Sequence, residues 1–173
     1  KEGEAGILVK GLINSSNFLR AALNEEWGLR TGRILNHLAA FEIPGEKKLV
    51  FHADGGMNIA PNLEQKKGIL INTIETLNSI GIENPKVAVL AANEQVSPKM
   101  PVTLDAKALV EMAEAGELPP CIIEGPIAMD VAARREAAEH KGIDSRISGD
   151  VDIFLVPDIE AGNMIGKTLV CYA

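Results

Sequence analysis

The chain has 173 residues, 46% of them apolar but only 3% aromatic, and a formal net charge of -7 from 24 acidic against 17 basic side chains. That much apolar material excludes a disordered polymer, and the acidic balance excludes a broad electrostatic footprint for nucleic acid or an anionic membrane. Packing falls to Ile, Leu, Val, Ala and Met, as where parallel strands lie between helices, and an anionic substrate would need a local basic pocket.

The opening Lys1, Glu2, Gly3 and Glu4 lacks the pattern of a signal peptide, and no apolar run reaches spanning length, so a soluble, cytoplasmic protein is expected. Residues 7–10 form a short apolar run stopped by Gly11, and Phe18, Leu19, Ala22, Leu23 and Trp27 follow at helical spacing. Strand, tight loop, helix is expected there. Two strand-like runs, 35–43 and 48–53, flank the turn residues Pro44, Gly45, Glu46 and Lys47, which predicts an antiparallel hairpin. Asn62 with Gln65 three residues on marks a helix start, continued by Leu63, Leu70, Ile74 and Leu77 and closed by Gly81.

The rest alternates. A strand over 86–92 leads to a helix over 103–115 closed by Gly116. A strand over 121–124 leads to a helix over 128–141 closed by Gly142, and a strand over 151–156 to a last helix from about Ala161. The expected fold is α/β, a largely parallel sheet with flanking helices and one antiparallel hairpin. Cys121 and Cys171 sit in apolar surroundings, and neither they nor His37, His52 and His140 show metal-ligand spacing; buried free thiols and no metal site are expected.

In such a sheet, ligands collect beyond the carboxyl ends of strands, where helix starts present free backbone donors. Four loops qualify by position, at 11–16, 54–61, 124–130 and 157–163. In NSSNFLR, Ser15 and Ser16 stand at a helix start beside Asn14, and Ser16 and Arg20 are four apart on one face. Hydroxyls, backbone donors and a guanidinium suit a phosphate group; alternatively a serine caps the helix and Arg20 is solvated. HADGGMNIAP sets Asp54, two glycines and Asn58 straight after a strand, either for close backbone approach to a ligand or as an ordinary turn. Asp130 in EGPIAMD and Asn163 in PDIEAGN stand near helix starts, open to capping or to ligand contact. Arg30 and Arg33 either join an anion site or face solvent, while Arg134, Arg135, Glu136 and Glu139 read as a solvated helix face.

AGNMIGKT, over 161–168, fits the relaxed nucleotide-binding string that ends in Gly, Lys and Thr, so P-loop-like nucleotide binding is an alternative function. Met164 and Ile165 instead look like the buried face of a helix already begun.

Taken in order, GLINSSNFLRAALNEEWGLRTGR, ADGGMNIAP, IENPKVAVLAANE, SPKMPVTLDA, EGPIAMDVA and DIFLVPDIEAGN resemble the phosphate acetyl/butyryltransferase family, on its butyryl-transferring branch. The resemblance implies reversible transfer of a short acyl group between coenzyme A and inorganic phosphate, with acyl-CoA, phosphate and acyl phosphate as substrates and no metal or permanently bound cofactor. It implies an isocitrate/isopropylmalate dehydrogenase-like two-domain architecture, incomplete here, with a cleft between two α/β domains. Residues 1–34 would belong to the first domain, 35–156 to the second, and 157–173 to a segment returning toward the first. On this reading the chain is the central piece of a longer one, with the family's base and its neighbouring serine and arginine beyond Ala173; a non-catalytic fragment is the other alternative. Ser16 and Arg20 are the expected catalytic pair. Asn14, Ser15, Ser16, Arg20, Asp54, Asn58, Asp130 and Asn163 are the expected binding residues, and a homodimer or larger assembly is expected.

Overall fold

A computed structural model describes residues 6–172, so the opening four residues read above for a signal peptide lie outside the described residues. The chain divides into two compact units, Lys1–Arg33 and Ile34–Ala173.

In the first unit, helix α1 (Ser15–Ala22) begins at Asn14, whose side-chain oxygen accepts the Ser16 backbone N–H at 2.9 Å. The strand expected at residues 7–10 does not form. A strand exists only with a ladder partner, and among the described residues this segment pairs with none; Ile7 and Val9 are exposed. Trp27, expected on the helical stripe, lies past the end of α1 and is 60% exposed. The cause is Asn24, whose side-chain oxygen accepts the N–H groups of Glu26 at 2.9 Å and Trp27 at 3.0 Å and so turns the chain out of the helix.

The second unit holds strands β1 (Leu38–Phe41), β2 (Val50–Ala53), β3 (Lys86–Leu90), β4 (Ile122–Ile127) and β5 (Ile153–Leu155) in one sheet of order β1-β2-β5-β3-β4. Only β1 with β2 is antiparallel, which is the expected hairpin; the other pairs are parallel. Helices α2 (Leu63–Ser79), α3 (Pro101–Glu114), α4 (Met129–Ala133), α5 (Arg135–His140) and α6 (Ile159–Tyr172) flank it. The sheet's period of two sorts its residues into two cores. Phe51, Ala53, Val87, Val89, Ile153 and Leu155 cluster with Ile69, Leu70, Ile74 and Leu77 of α2 and Leu109 of α3, while Val50, Ala88, Leu90 and Phe154 cluster with Val131, Ala132, Ala138 and Ile147. Each of these Leu and Ile side chains gains about 1.5–3 kcal/mol by full burial, which holds both helical layers down.

Asn62 and Gln65 form the reciprocal capping box, each side chain accepting the other's backbone N–H at 2.9 Å. At the far end Gly81 takes φ +90, the left-handed conformation that stops a helix.

The helix expected over 128–141 is broken. Arg134 is extended (φ -133, ψ 121) because the Ala132 carbonyl, which a continuous helix would offer to residue 136, accepts the Gly149 N–H at 2.9 Å instead. The amino ends of the strands are pinned by Asp152, which accepts Lys48 Nζ and the Lys86 backbone N–H, both at 2.7 Å. Beside it Asp150 is held at about 2 by hydrogen bonds from Lys48 and Lys86.

Candidate functional site

At the start of α1, the cap is Asn14 and neither serine. The hydroxyls of Ser15 and Ser16 have no partner among the described residues, and both residues are exposed. Arg20, one turn beyond Ser16, is also exposed with no hydrogen bond or ion pair among the described residues. It lines an open cavity of about 330 Å³ with Asn17, Ala21, Asn24 and Trp27. Arg30, by contrast, is paired with Glu25 at 2.9 Å.

Because β2, β5, β3 and β4 run parallel, their following loops share one edge of the sheet. There Asp54 is only 2% exposed and is enclosed by its own loop. Its Oδ1 accepts the N–H groups of Gly56 and Met57 at 2.9 Å, and its Oδ2 accepts the Asn58 backbone N–H at 3.1 Å and Asn58 Nδ2 at 2.6 Å. Asn58 Nδ2 also donates to the Leu35 carbonyl at 3.0 Å. These two residues therefore fix the shape of the glycine loop. Asn163, exposed one turn into α6, reaches the Gly55 carbonyl at 3.4 Å, so the loops after β2 and β5 meet.

Asp130 stands apart, after the edge strand β4 in the first turn of α4. Lys141 lies 3.2 Å from its carboxylate and holds its pKa below the ordinary value, and the same ammonium reaches Glu94 at 3.4 Å. The arrangement thus joins Asp54, Asn58 and Asn163, with Asp130 in a separate ion-pair cluster.

The alternative of a nucleotide-binding loop at 161–168 is overturned, since the whole string lies inside α6. Its Gly162 is buried against the Gly55 backbone, leaving no open loop whose N–H groups could cradle a phosphate. The thiols also differ from expectation. Cys121 is half-buried, with burial pushing its pKa up, whereas Cys171 is exposed on α6.

Sequence reasoning missed Asn17, Asn24 and Trp27 as cavity residues. The signal was present in Asn24, Trp27 and Gly28, a turn that competes with the helix. It also missed Lys66, 5% exposed on α2 and 2.7 Å from Asp105 of α3, because burial of a lysine leaves no mark in spacing.

The fold and these loops define an open-sheet α/β protein with its loops gathered at the carboxyl edge. The chain belongs to the phosphate acetyl/butaryl transferase family, whose pattern it matches over residues 1–173. It is similar to the phosphate butyryltransferase of Clostridium acetobutylicum, 46% identical over 167 residues that cover 96% of this chain and 56% of that protein. It is also similar to the phosphate acetyltransferase of Thermotoga maritima, 41% identical over 99% of this chain and 58% of that protein. Among solved structures, a branched-chain phosphotransacylase from Enterococcus faecalis superposes with a TM-score of 0.85 at 34% identity, covering 94% of this chain and 58% of that one. The chain spans a little over half the length of the curated relatives it matches. No helix among the described residues is long and apolar enough to cross a membrane.

Proposed function

We propose that this chain is part of a phosphate acyltransferase that moves a short acyl group reversibly between coenzyme A and inorganic phosphate. The observation that carries the reading is the guanidinium of Arg20, which has no partner among the described residues and lines an open cavity, one turn along α1 from the Ser16 hydroxyl, likewise without a partner among them. An isolated guanidinium facing open space is suited to a dianionic group such as phosphate, which it can bind through two parallel, charge-assisted hydrogen bonds. Family membership supports the same chemistry, as do relatives named for butyryl and acetyl transfer.

In this reaction the thiolate sulfur of coenzyme A attacks the carbonyl carbon of the acyl phosphate. A C–S bond forms, the C–O bond to phosphorus breaks, and phosphate departs with the bonding electron pair. The thiol proton is taken up, directly or through water, by the departing phosphate, which leaves as hydrogen phosphate. Arg20 stabilises the charge that grows on the departing phosphate, and Ser16 donates its hydroxyl hydrogen to a phosphate oxygen. Ser15 supplies a second hydroxyl. Asn14 contributes by capping the helix that carries both serines. Within the second unit, Asp54 and Asn58 shape the loop after β2, and Asn163 and Asp130 present polar groups at the carboxyl edge of the sheet, the edge at which such sheets bind ligands.

The same reading includes an isocitrate/isopropylmalate dehydrogenase-like two-domain architecture with residues 1–34, 35–156 and 157–173 as its parts. It also includes a cytoplasmic location, a homodimer or larger assembly, and coenzyme A as a substrate in place of a resident cofactor. The deciding experiment is release of free thiol from butyryl-CoA by the full-length protein. Release that requires inorganic phosphate supports the assignment, and release that ignores phosphate removes it.

A further inference from the structure

We infer that Trp27 is the wall against which the acyl chain of the acyl phosphate packs, with Asn24 as the positioning residue that sets its indole there. The inference rests on the proposed placement of phosphate on Arg20 and deepens it, by naming what lies beside the phosphate.

Trp27 is the single tryptophan of the sequence and is 60% exposed, although an indole is among the most costly side chains to leave in water. Its exposure is enforced. The Asn24 side-chain oxygen accepts the N–H groups of Glu26 and Trp27, which ends the helical path and brings residue 27 round to the α1 face that carries Asn17, Arg20 and Ala21. Gly28 is buried in this turn, where a Cβ would lie 2.4 Å from the Asn24 carbonyl oxygen, so any side chain there would force the turn open. The result is one open cavity of about 330 Å³ whose lining combines a cation, Arg20, a large apolar side chain, Trp27, and the two asparagines Asn17 and Asn24.

A cavity of that size suits a small ligand with an anionic head and a short apolar tail. In an acyl phosphate one ester oxygen separates the phosphorus from the acyl carbonyl, so the acyl chain must lie in the same cavity as the bound phosphate. The adenine of coenzyme A sits at the far end of a pantetheine arm and cannot share that cavity with the reacting phosphate. Only a phosphate of the nucleotide end on Arg20 would bring adenine onto the indole. That arrangement gives an opposite experimental result.

Apolar contact with the indole is worth up to about fourfold in binding per methylene, so butyryl phosphate should be favoured over acetyl phosphate by at most about fifteenfold through this wall. The test uses the full-length protein and the emission difference between it and its Trp27→Phe variant, with butyryl phosphate, inorganic phosphate and adenosine 3′,5′-bisphosphate as probes. The inference expects a larger emission change with butyryl phosphate than with inorganic phosphate. In calorimetry, Trp27→Ala should bring the butyryl-to-acetyl affinity ratio close to one while inorganic phosphate binds within about twofold of its original affinity. Asn24→Ala should lower the ratio in the same direction, and Asn24→Asp, which keeps the accepting oxygen, should restore it. A ratio unchanged by Trp27→Ala overturns the inference, as does emission that answers adenosine 3′,5′-bisphosphate and ignores butyryl phosphate. Phosphate affinity unchanged by Arg20→Ala would instead remove the phosphate assignment on which the inference rests.

Discussion

Gly55 and Gly162 meet backbone to backbone: a Cβ on Gly162 would lie 2.6 Å from the Cα of Gly55, and one on Gly55 would lie 2.9 Å from the carbonyl carbon of Gly162. The loop after β2 and the first turn of α6 can touch only because both residues lack side chains. Since the obstructing atoms are main chain, neither side can yield by a rotamer change. Gly162→Ala should therefore cost about 1–3 kcal/mol in chemical denaturation and detach Asn163 from the Gly55 carbonyl. An alanine variant as stable as the parent would show that this contact does not constrain the fold.

The Asp54 carboxylate makes a second, sharper prediction. It is buried and accepts four hydrogen bonds, three of them from consecutive backbone N–H groups at 56, 57 and 58. Asp54→Ala removes the shared acceptor and leaves several donors short of a partner, each costing about 1–3 kcal/mol if it stays buried. The expected loss is about 2–4 kcal/mol, with faster amide hydrogen exchange confined to 54–58. Loss of activity without loss of stability would argue that the carboxylate serves a ligand instead of the loop.

These two sites show what sequence could and could not reveal. The hairpin, the α2 capping box and the parallel sheet were legible because turn chemistry, cap pairs and apolar period are all local. The break at Arg134 was hidden because its cause is a hydrogen bond from Gly149, distant in sequence. Residues 7–10 have strand composition, yet composition cannot supply a ladder partner. At the candidate site the serines and Arg20 stood out by spacing, whereas the role of Asp54 as a loop organiser depends on three N–H groups converging, which only coordinates reveal.

His52 on β2 links pH to stability. It is 2% exposed between the rings of Phe41 and Phe154, at centroid distances of 5.1 and 5.2 Å, and neither ring nitrogen has a hydrogen-bond partner among the described residues. Burial lowers its pKa from 6.5 to about 4. The folded state therefore holds the neutral ring while the unfolded chain takes up a proton, so stability is complete above pH 6.5 and falls as pH drops toward 4. The loss over that window is about 3 kcal/mol at most. His52→Leu, which carries no ionisable group, should lie within about 1 kcal/mol of the parent at pH 7 and exceed its stability at pH 4.5. Urea midpoints at the two pH values measure this, and parallel curves for the two proteins would refute it.

Arg20 carries the functional claim, and its isolation makes that claim separable from folding. Because the guanidinium has no partner among the described residues and is exposed, Arg20→Ala should leave the thermal midpoint within about 1–2 °C of the parent. If Arg20 stabilises the departing phosphate, the same variant should lose about 10²–10³ in kcat/KM for butyryl phosphate with coenzyme A, the scale seen when a preorganised donor to a developing anion is removed. Arg20→Lys keeps the charge but not the paired N–H geometry, so it should recover only part of that loss. Stability data alone cannot imitate this pattern, since a structural arginine would move the midpoint along with the rate. An Arg20→Ala enzyme with full kcat/KM would place the phosphate elsewhere.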